Sequence, residues 1–537
     1  MSGRGAMTPA SFSILFGGRR PERIDETPEP SYFGDLRLDQ LVAGLTGDVD
    51  QFHLAPLFRA MVADRETLRL RQDVFDDIQQ PGVRQTLDGF SQDMAAVHSA
   101  LRASQNLRVG AQKDRWHLNA AAGYCTAVRT AVSAIGGSGL RSGGLREIVR
   151  GLRDLAGSDD FRRLDGESSR LEEQLRALDY SVFLQGARIT VGAYDGESDY
   201  GEHIVNMFSR FRQHDQDPEA KQTQQRRRKV RYAGGDPVRE RIVALVAELH
   251  PALFAELAAF RARHPSFLDP TVSLFYRELQ FYLRYQDLRQ RLEGAGLPTV
   301  RPTLREEHGV TARDVYDIVL ASQQATPAEP GGSRTGGSST GGSSTGGIVG
   351  NDLDLAPYER RVVISGPNQG GKTTFSRTIA QIHHLAALGC PVPGSEVALA
   401  PPDRIFTHFE REELGHRTGK LEDDLLRIQA ILEQATSHSV VVLNEIFAST
   451  TTADAVDLAR GVLDRLSASG ALCLCVTFLD EIAQAPHTVT LVAQVDPDDV
   501  TRRTFRVIRA PADGRAYATA LAVKHGLTYD DVRRRVQ

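Results

Sequence analysis

The chain has 537 residues, 41% of them apolar and 25% charged; this is ordinary globular usage and excludes a wholly disordered protein. At about 150 residues per domain, the length implies roughly three or four folded units. Lys plus Arg number 64 and Asp plus Glu 69, so the formal net charge is −5; a uniform basic coat is excluded, and nucleic-acid contact is confined to local clusters.

The opening MSGRGAMTPASFSILFGG has no sustained apolar core and no clean cleavage site, so no secretory signal is expected. Residues 1–34 are rich in Gly, Pro and charge and read as a mobile tail. From about 35 to 180 the pattern is helical, with Leu57, Met61, Leu68, Val74, Phe75 and Ile78 set among charges. Glycines around 136–144 break it. Residues 181–200 (SVFLQGARITVGAYDG onward) turn β-branched and alternating, which predicts a hairpin or small β element. A basic run follows, with Arg226, Arg227, Arg228, Lys229 and Arg231. Helical spacing returns from 236 to 293, where Phe275, Leu279, Tyr282 and Leu283 share a face. Residues 327–347 are Gly/Ser/Thr-rich, bury almost nothing and read as a flexible linker.

After 348 the texture alternates between strand and helix. The predicted strands are 361–365, 439–443, 471–476, 487–495 and 503–509, and the predicted helices 372–388, 420–436 and 454–469. Such alternation implies a largely parallel sheet covered on both faces. No run of about 18 apolar residues occurs, so no membrane span is expected. The cysteines Cys125, Cys390, Cys473 and Cys475 are too few for a disulfide framework and fit a reducing, cytoplasmic setting. Cys473 and Cys475 share one face of a predicted strand and read as buried small residues rather than metal ligands.

The sharpest signal is Gly366, Pro367, Asn368, Gln369, Gly370, Gly371, Lys372 and Thr373, a full match to G-x-x-x-x-G-K-[ST]. An apolar strand precedes it and a helical pattern follows. Glycines let the backbone N–H groups face a phosphate, and the next helix adds its positive end. Lys372 is expected on the β- and γ-phosphates of ATP, and the Thr373 hydroxyl on Mg²⁺. A second apolar strand, Val440 to Leu443, ends in Asn444 and Glu445. Glu445 is placed to act as general base on an attacking water; the plainer alternative is an exposed or helix-capping acid. Asn444 stands where a metal-supporting aspartate is usual, which predicts weak Mg²⁺ support and slow turnover.

These residues resemble the MutS family of mismatch-repair ATPases. Gly366 through Lys372, with Thr373 and Thr374, is similar to the family's T-G-P-N-M-G-G-K-S-T loop. Asn351-Asp352 resembles its Asn-Asp pair beside the nucleotide base. Arg404-Ile405-Phe406-Thr407-His408 is similar to R-I-F-T-R, and the stretch from Glu412-Glu413-Leu414 to Glu422-Asp423-Asp424 to D-D-L…S-T-F-x-x-E-M. Glu445 through Asp454 resembles E-I-G-R-G-T-S-T-Y-D; Gly514-Arg515-Ala516-Tyr517 and Gly526-Leu527 resemble R-S-Y-G and G-L-P. In the first half, Leu68, Arg71, Gln72, Phe75 and Ile78 look like the helical-lever pattern I-x-x-R-Q-x-x-V-x-x-L. Phe478 stands where the family has a histidine that senses the γ-phosphate or places water. The family's mismatch-reading domain has no counterpart; the one Phe-x-Glu match, Phe254-Ala255-Glu256, falls in a helical pattern.

The resemblance implies a mainly α-helical core and lever over 35–326, with a clamp-like insertion at about 181–235, and an α/β P-loop NTPase domain of ABC type over 348–537. It further implies an ATP site shared across a homodimer, in which Ser449, Thr450, Thr451 and Thr452 clasp the partner's γ-phosphate; simple N-capping is the alternative for these hydroxyls. DNA is the implied partner. The Arg226–Arg231 cluster would neutralise its phosphates, unless it is only a solvated loop. Two readings stand: a DNA repair or recombination ATPase, and a nucleotide-switched scaffold with little hydrolysis. A small-molecule kinase would need an acceptor pocket that no constellation supplies.

Overall fold

The computed structural model describes residues 12–18, 21, 23–47, 50–107, 110–136, 139–185, 188–195, 237–325, 347–409, 420–496, 499, 502–512 and 533. The chain divides into two compact units, one of 1–81, 141–146 and 277–537, the other of 82–140 and 147–276.

The first unit is built on a six-stranded sheet in the order Ile405–His408, Val440–Asn444, Leu472–Val476, Arg361–Ser365, Thr488–Val495 and Arg503–Arg509. Neighbouring strands run parallel except the last pair, which is antiparallel. Parallel strands are covered on both faces, so they read as unbroken apolar runs; Arg361–Ser365 and Leu472–Val476 are buried throughout. Val441, Leu443, Cys473 and Cys475 pack with Ile428, Leu463 and Leu466 from the helices Lys420–Gln434 and Thr452–Ser469. The two cysteines are thus small core residues on one strand face. Alternate residues turn to the opposite face, and the helix Lys372–Ala387 packs against this sheet. The five strands and three helices read from the pattern all occur, within two residues at each end.

A second sheet has the order Thr303–Leu304, Glu396–Leu399, Val310–Val315 and Asn351–Leu355. Val310–Val315 pairs antiparallel with both Glu396–Leu399 and Asn351–Leu355. Residues on either side of the 327–347 segment therefore share one sheet and one compact unit. This corrects the expectation that the segment separates two folded parts: long-range strand pairing carries the fold across it.

The reading of 1–34 as a mobile tail is corrected for its described residues. Ser13 and Gly17 exchange backbone hydrogen bonds of 3.0 and 2.8 Å, closing a turn whose Ile14 and Leu15 are fully buried. Ser13 Oγ donates to Glu278 Oε1 at 2.7 Å, and Tyr282 OH donates to the Ile14 carbonyl at 2.8 Å. Arg71 Nε donates to the Leu15 carbonyl and Nη1 to the Leu388 carbonyl, at 2.8 and 3.0 Å. Burying Ile14 and Leu15 contributes about 1.5–3 kcal/mol each. The average composition of the segment conceals this short apolar run. Arg71 and Gln72 of the lever-like pattern are both buried in this unit; Gln72 Nε2 donates to the Pro302 carbonyl at 2.9 Å. Asp64 caps their helix, Arg65–Ile78, by accepting from the Glu66 and Thr67 amides.

The second unit is mainly helical. Gly110–Gly136, Asp159–Arg176 and Pro251–Arg263 bury Leu118, Tyr124, Phe161, Leu171 and Phe260. Phe254-Ala255-Glu256 lies inside the third of these helices. Tyr180–Gln185 and Arg188–Ala193 form the expected hairpin, paired from Tyr180 with Ala193 to Gln185 with Arg188. Arg226, Arg227, Arg228, Lys229 and Arg231 lie outside the described residues. No single helix among the described residues is long and apolar enough to cross a membrane.

Candidate nucleotide site

The buried strand Arg361–Ser365 delivers the chain to a tight loop, and the loop delivers it to the helix Lys372–Ala387. Backbone crowding dictates the glycines. At Gly366 (φ 115°) a Cβ would lie 2.8 Å from the Ala493 carbonyl oxygen. Gly371 has φ 94° at the helix N-cap, a conformation that costs any residue with a Cβ. The helix therefore begins with its N–H groups open to the loop's concave side.

That side opens on a cavity of about 320 Å³. Asn368, Gln369, Gly370, Gly371, Lys372, Thr373 and Thr374 form one wall, and Asn351 and Glu445 also line it. Six of the nine expected loop residues thus meet Lys372 around one space, while Gly366 and Pro367 stand behind it and serve the lysine. Lys372 Nζ donates to the Gly366 carbonyl at 2.6 Å and lies 3.4 Å from that of Pro367. The Phe478 ring covers it, with Nζ 3.8 Å from the centroid. Burial is the main reason that the Lys372 pKa falls to about 8; nearby Glu445 opposes the fall and Arg503 adds to it.

Thr373 Oγ1 donates to Asn444 Oδ1 at 2.8 Å, so the two expected metal-side residues do meet. Both offer neutral oxygens. Mg²⁺ retains several waters and accepts substrate phosphates, so the pair fits it as a weak protein anchor. Glu445 stands just past the strand with φ 54°, its amide donating to the Val476 carbonyl at 2.9 Å. A non-glycine residue held at positive φ stores strain, and here it aims an acid at the cavity.

Asn351 is buried and bridges strands. Its Nδ2 donates to the Phe505 carbonyl at 3.1 Å, and its Oδ1 accepts from the Val507 amide at 2.7 Å. Ser449, Thr450 and Thr451 are not on the cavity wall. Thr451 caps the helix Thr452–Ser469, accepting from the Asp454 amide at 3.3 Å while its own hydroxyl donates to Asp454 Oδ2 at 2.8 Å. Capping, the plainer alternative, is thus present within one chain.

Residues 362–510 match the family model for MutS domain V. That stretch is similar to MutS domain V. The matched span holds the loop, Glu445, Asn444, Phe478 and the strand Arg503–Arg509. The far end of the cavity has walls that sequence reasoning missed. Val315, Asp317, Leu320, Ile348, Val349 and Phe505 line it. Ile348 and Val349 are an apolar pair separated from Asn351 by Gly350 and carried a readable signal. Val315 to Leu320 arrive only through sheet pairing. Phe505 sits in a charged strand, 47% exposed with φ 57°, and no local pattern marks it.

Proposed function

We propose that this protein is a MutS-family ATPase that binds ATP with Mg²⁺ in this cavity and hydrolyses it slowly. We further propose that ATP gates the pairing of two copies that act on DNA in repair or recombination. One observation carries the nucleotide assignment: a glycine-shaped loop, a buried lysine and an acid held at positive φ converge on one cavity. The loop amides and Lys372 bind phosphate, with Lys372 exchanging its two carbonyl partners for phosphate oxygens. The apolar walls and Phe505 suit a flat base, and Glu445 takes a proton from water aligned with the terminal phosphate. Thr373 and Asn444 would hold Mg²⁺, which when bound offsets phosphate charge. The match of 362–510 to MutS domain V supports the mismatch-repair context. DNA contact is assigned to Arg226, Arg227, Arg228, Lys229 and Arg231 on charge alone.

A second reading is the nucleotide-switched scaffold. The neutral Thr373–Asn444 pair and the phenylalanine over Lys372 favour it, since neither promotes the chemical step. Steady-state ATP turnover across a panel of DNA structures, with oligomeric state followed by light scattering, separates the two. DNA-stimulated turnover supports the ATPase; tight ATP binding with no turnover on any DNA supports the scaffold.

ATP affinity should also depend on pH. The Lys372 pKa is about 8 in the free site, and a bound phosphate, by favouring the ammonium, raises it. Binding then takes up a proton above pH 8. Affinity should be level from about pH 7 to 8 and fall up to about tenfold per unit above that. Calorimetric titration at several pH values checks this; Lys372→Arg should flatten the profile.

A further inference from the structure

We propose that Asp317 selects the base in this cavity: its second carboxylate oxygen accepts a hydrogen bond from the exocyclic amino group of adenine and rejects a base that carries a carbonyl there. This inference rests on the assignment of the cavity to ATP and names the residue that reads the nucleoside.

Asp317 is only 5% exposed, yet it lines the cavity with Val315, Leu320, Ile348, Val349 and Phe505. It caps the short helix Ile318–Gln324. One oxygen does all of this structural work. Oδ1 accepts from the Val319 amide at 2.9 Å, the Leu320 amide at 3.0 Å and Gln381 Nε2 at 3.1 Å. Oδ2 has no hydrogen-bond partner among the described residues, and it is not among their sealed, unpartnered polar atoms. It therefore reaches open space, and the space beside Asp317 is the cavity. Capping needs a single oxygen, which a serine or threonine supplies without burying a carboxylate. The second oxygen is surplus to the fold.

The carboxylate is also held in one place. Gln381 is fully buried, donates to the Leu36 carbonyl at 3.0 Å and accepts from the Ile318 amide at 3.2 Å. It belongs to the helix Lys372–Ala387, about 13 Å along the axis from Lys372 at 1.5 Å per residue. Asp317 thus stands well away from the phosphate loop, on the side where the nucleoside of a bound triphosphate extends. A carboxylate oxygen only accepts. Adenine presents an amino donor at the position where guanine and hypoxanthine present a carbonyl acceptor. Facing the carbonyl, Oδ2 would meet a second acceptor and both would be left unpaired. Asn351 also lines the cavity, but its side-chain amide is already engaged at both ends, by the Phe505 carbonyl and the Val507 amide.

The test is calorimetric titration of the full chain with ATP, inosine triphosphate and 2′-deoxy-ATP, each with Mg²⁺. The wild type should bind ATP about 10- to 100-fold more tightly than inosine triphosphate, and 2′-deoxy-ATP about as tightly as ATP. Asp317→Asn keeps the capping oxygen and puts a donor nitrogen in place of Oδ2. It should weaken ATP, strengthen inosine triphosphate and bring their ratio to one or below. Asp317→Ser keeps a capping oxygen and removes Oδ2, so the ratio should fall toward one with no gain for inosine triphosphate. A thermal melt of each free variant separates these changes from unfolding. A wild-type ratio near one, or a ratio unchanged in Asp317→Asn and Asp317→Ser, would overturn the inference. A loss with 2′-deoxy-ATP as large as that with inosine triphosphate would move the contact to the ribose and overturn it too. Each of these results leaves the ATP assignment standing. A wild type that binds none of the three nucleotides would overturn that assignment and the inference with it.

Discussion

Lys372→Ala should abolish ATP binding, raising the dissociation constant at least about 100-fold. The ammonium is buried at the loop's centre, 2.6 Å from the Gly366 carbonyl, in a cavity walled by backbone amides. A charge-assisted hydrogen bond contributes about 1.5–3 kcal/mol, and a lysine facing two phosphates makes more than one. Alanine also leaves the Gly366 and Pro367 carbonyls without the ammonium that they accept from. Nucleotide titration measures the loss, and a thermal melt of the free protein separates it from unfolding. Unchanged affinity would refute the loop's role.

Glu445→Gln should keep ATP binding and slow hydrolysis about 100- to 10,000-fold, the usual contribution of a general base. Glutamine retains the shape of the side chain, so the strained backbone at φ 54° need not change. Removing the carboxylate also removes a negative charge from the cavity wall, and ATP should bind equally well or more tightly. With hydrolysis blocked, the ATP-bound state accumulates. Light scattering should then report a dimer that the wild type forms only transiently. Unaltered turnover would show that Glu445 is not the base.

The domain V sheet was legible because parallel, doubly covered strands leave unbroken apolar runs; Val440–Asn444 and Leu472–Val476 are the clearest. Ile405–His408 escaped as a strand because it is four residues long and only its two ends are buried. The phosphate loop was legible because its glycines answer a local backbone demand. Asn444 and Thr373 were assigned from position, and the structure brings them together. The far end of the cavity was not legible: Val315, Asp317 and Leu320 reach it through pairing with Asn351–Leu355, a contact that no local pattern records. The same blindness to distant pairing misplaced the boundary at 327–347. Buried Ile14 and Leu15 were lost in the averaged composition of their surroundings.

The sheet that straddles the Gly/Ser/Thr-rich segment has a practical corollary. A fragment trimmed to start at 348 would carry Lys372 and Glu445 intact, yet Asn351–Leu355 and Glu396–Leu399 would both lose Val310–Val315 as a neighbour. The raw strand edges would invite self-association, and the chamber would lack its Val315, Asp317 and Leu320 side. The domain suggested by inspection, 348–537, is thus smaller than the compact unit, which also takes in residues well upstream of the low-complexity stretch.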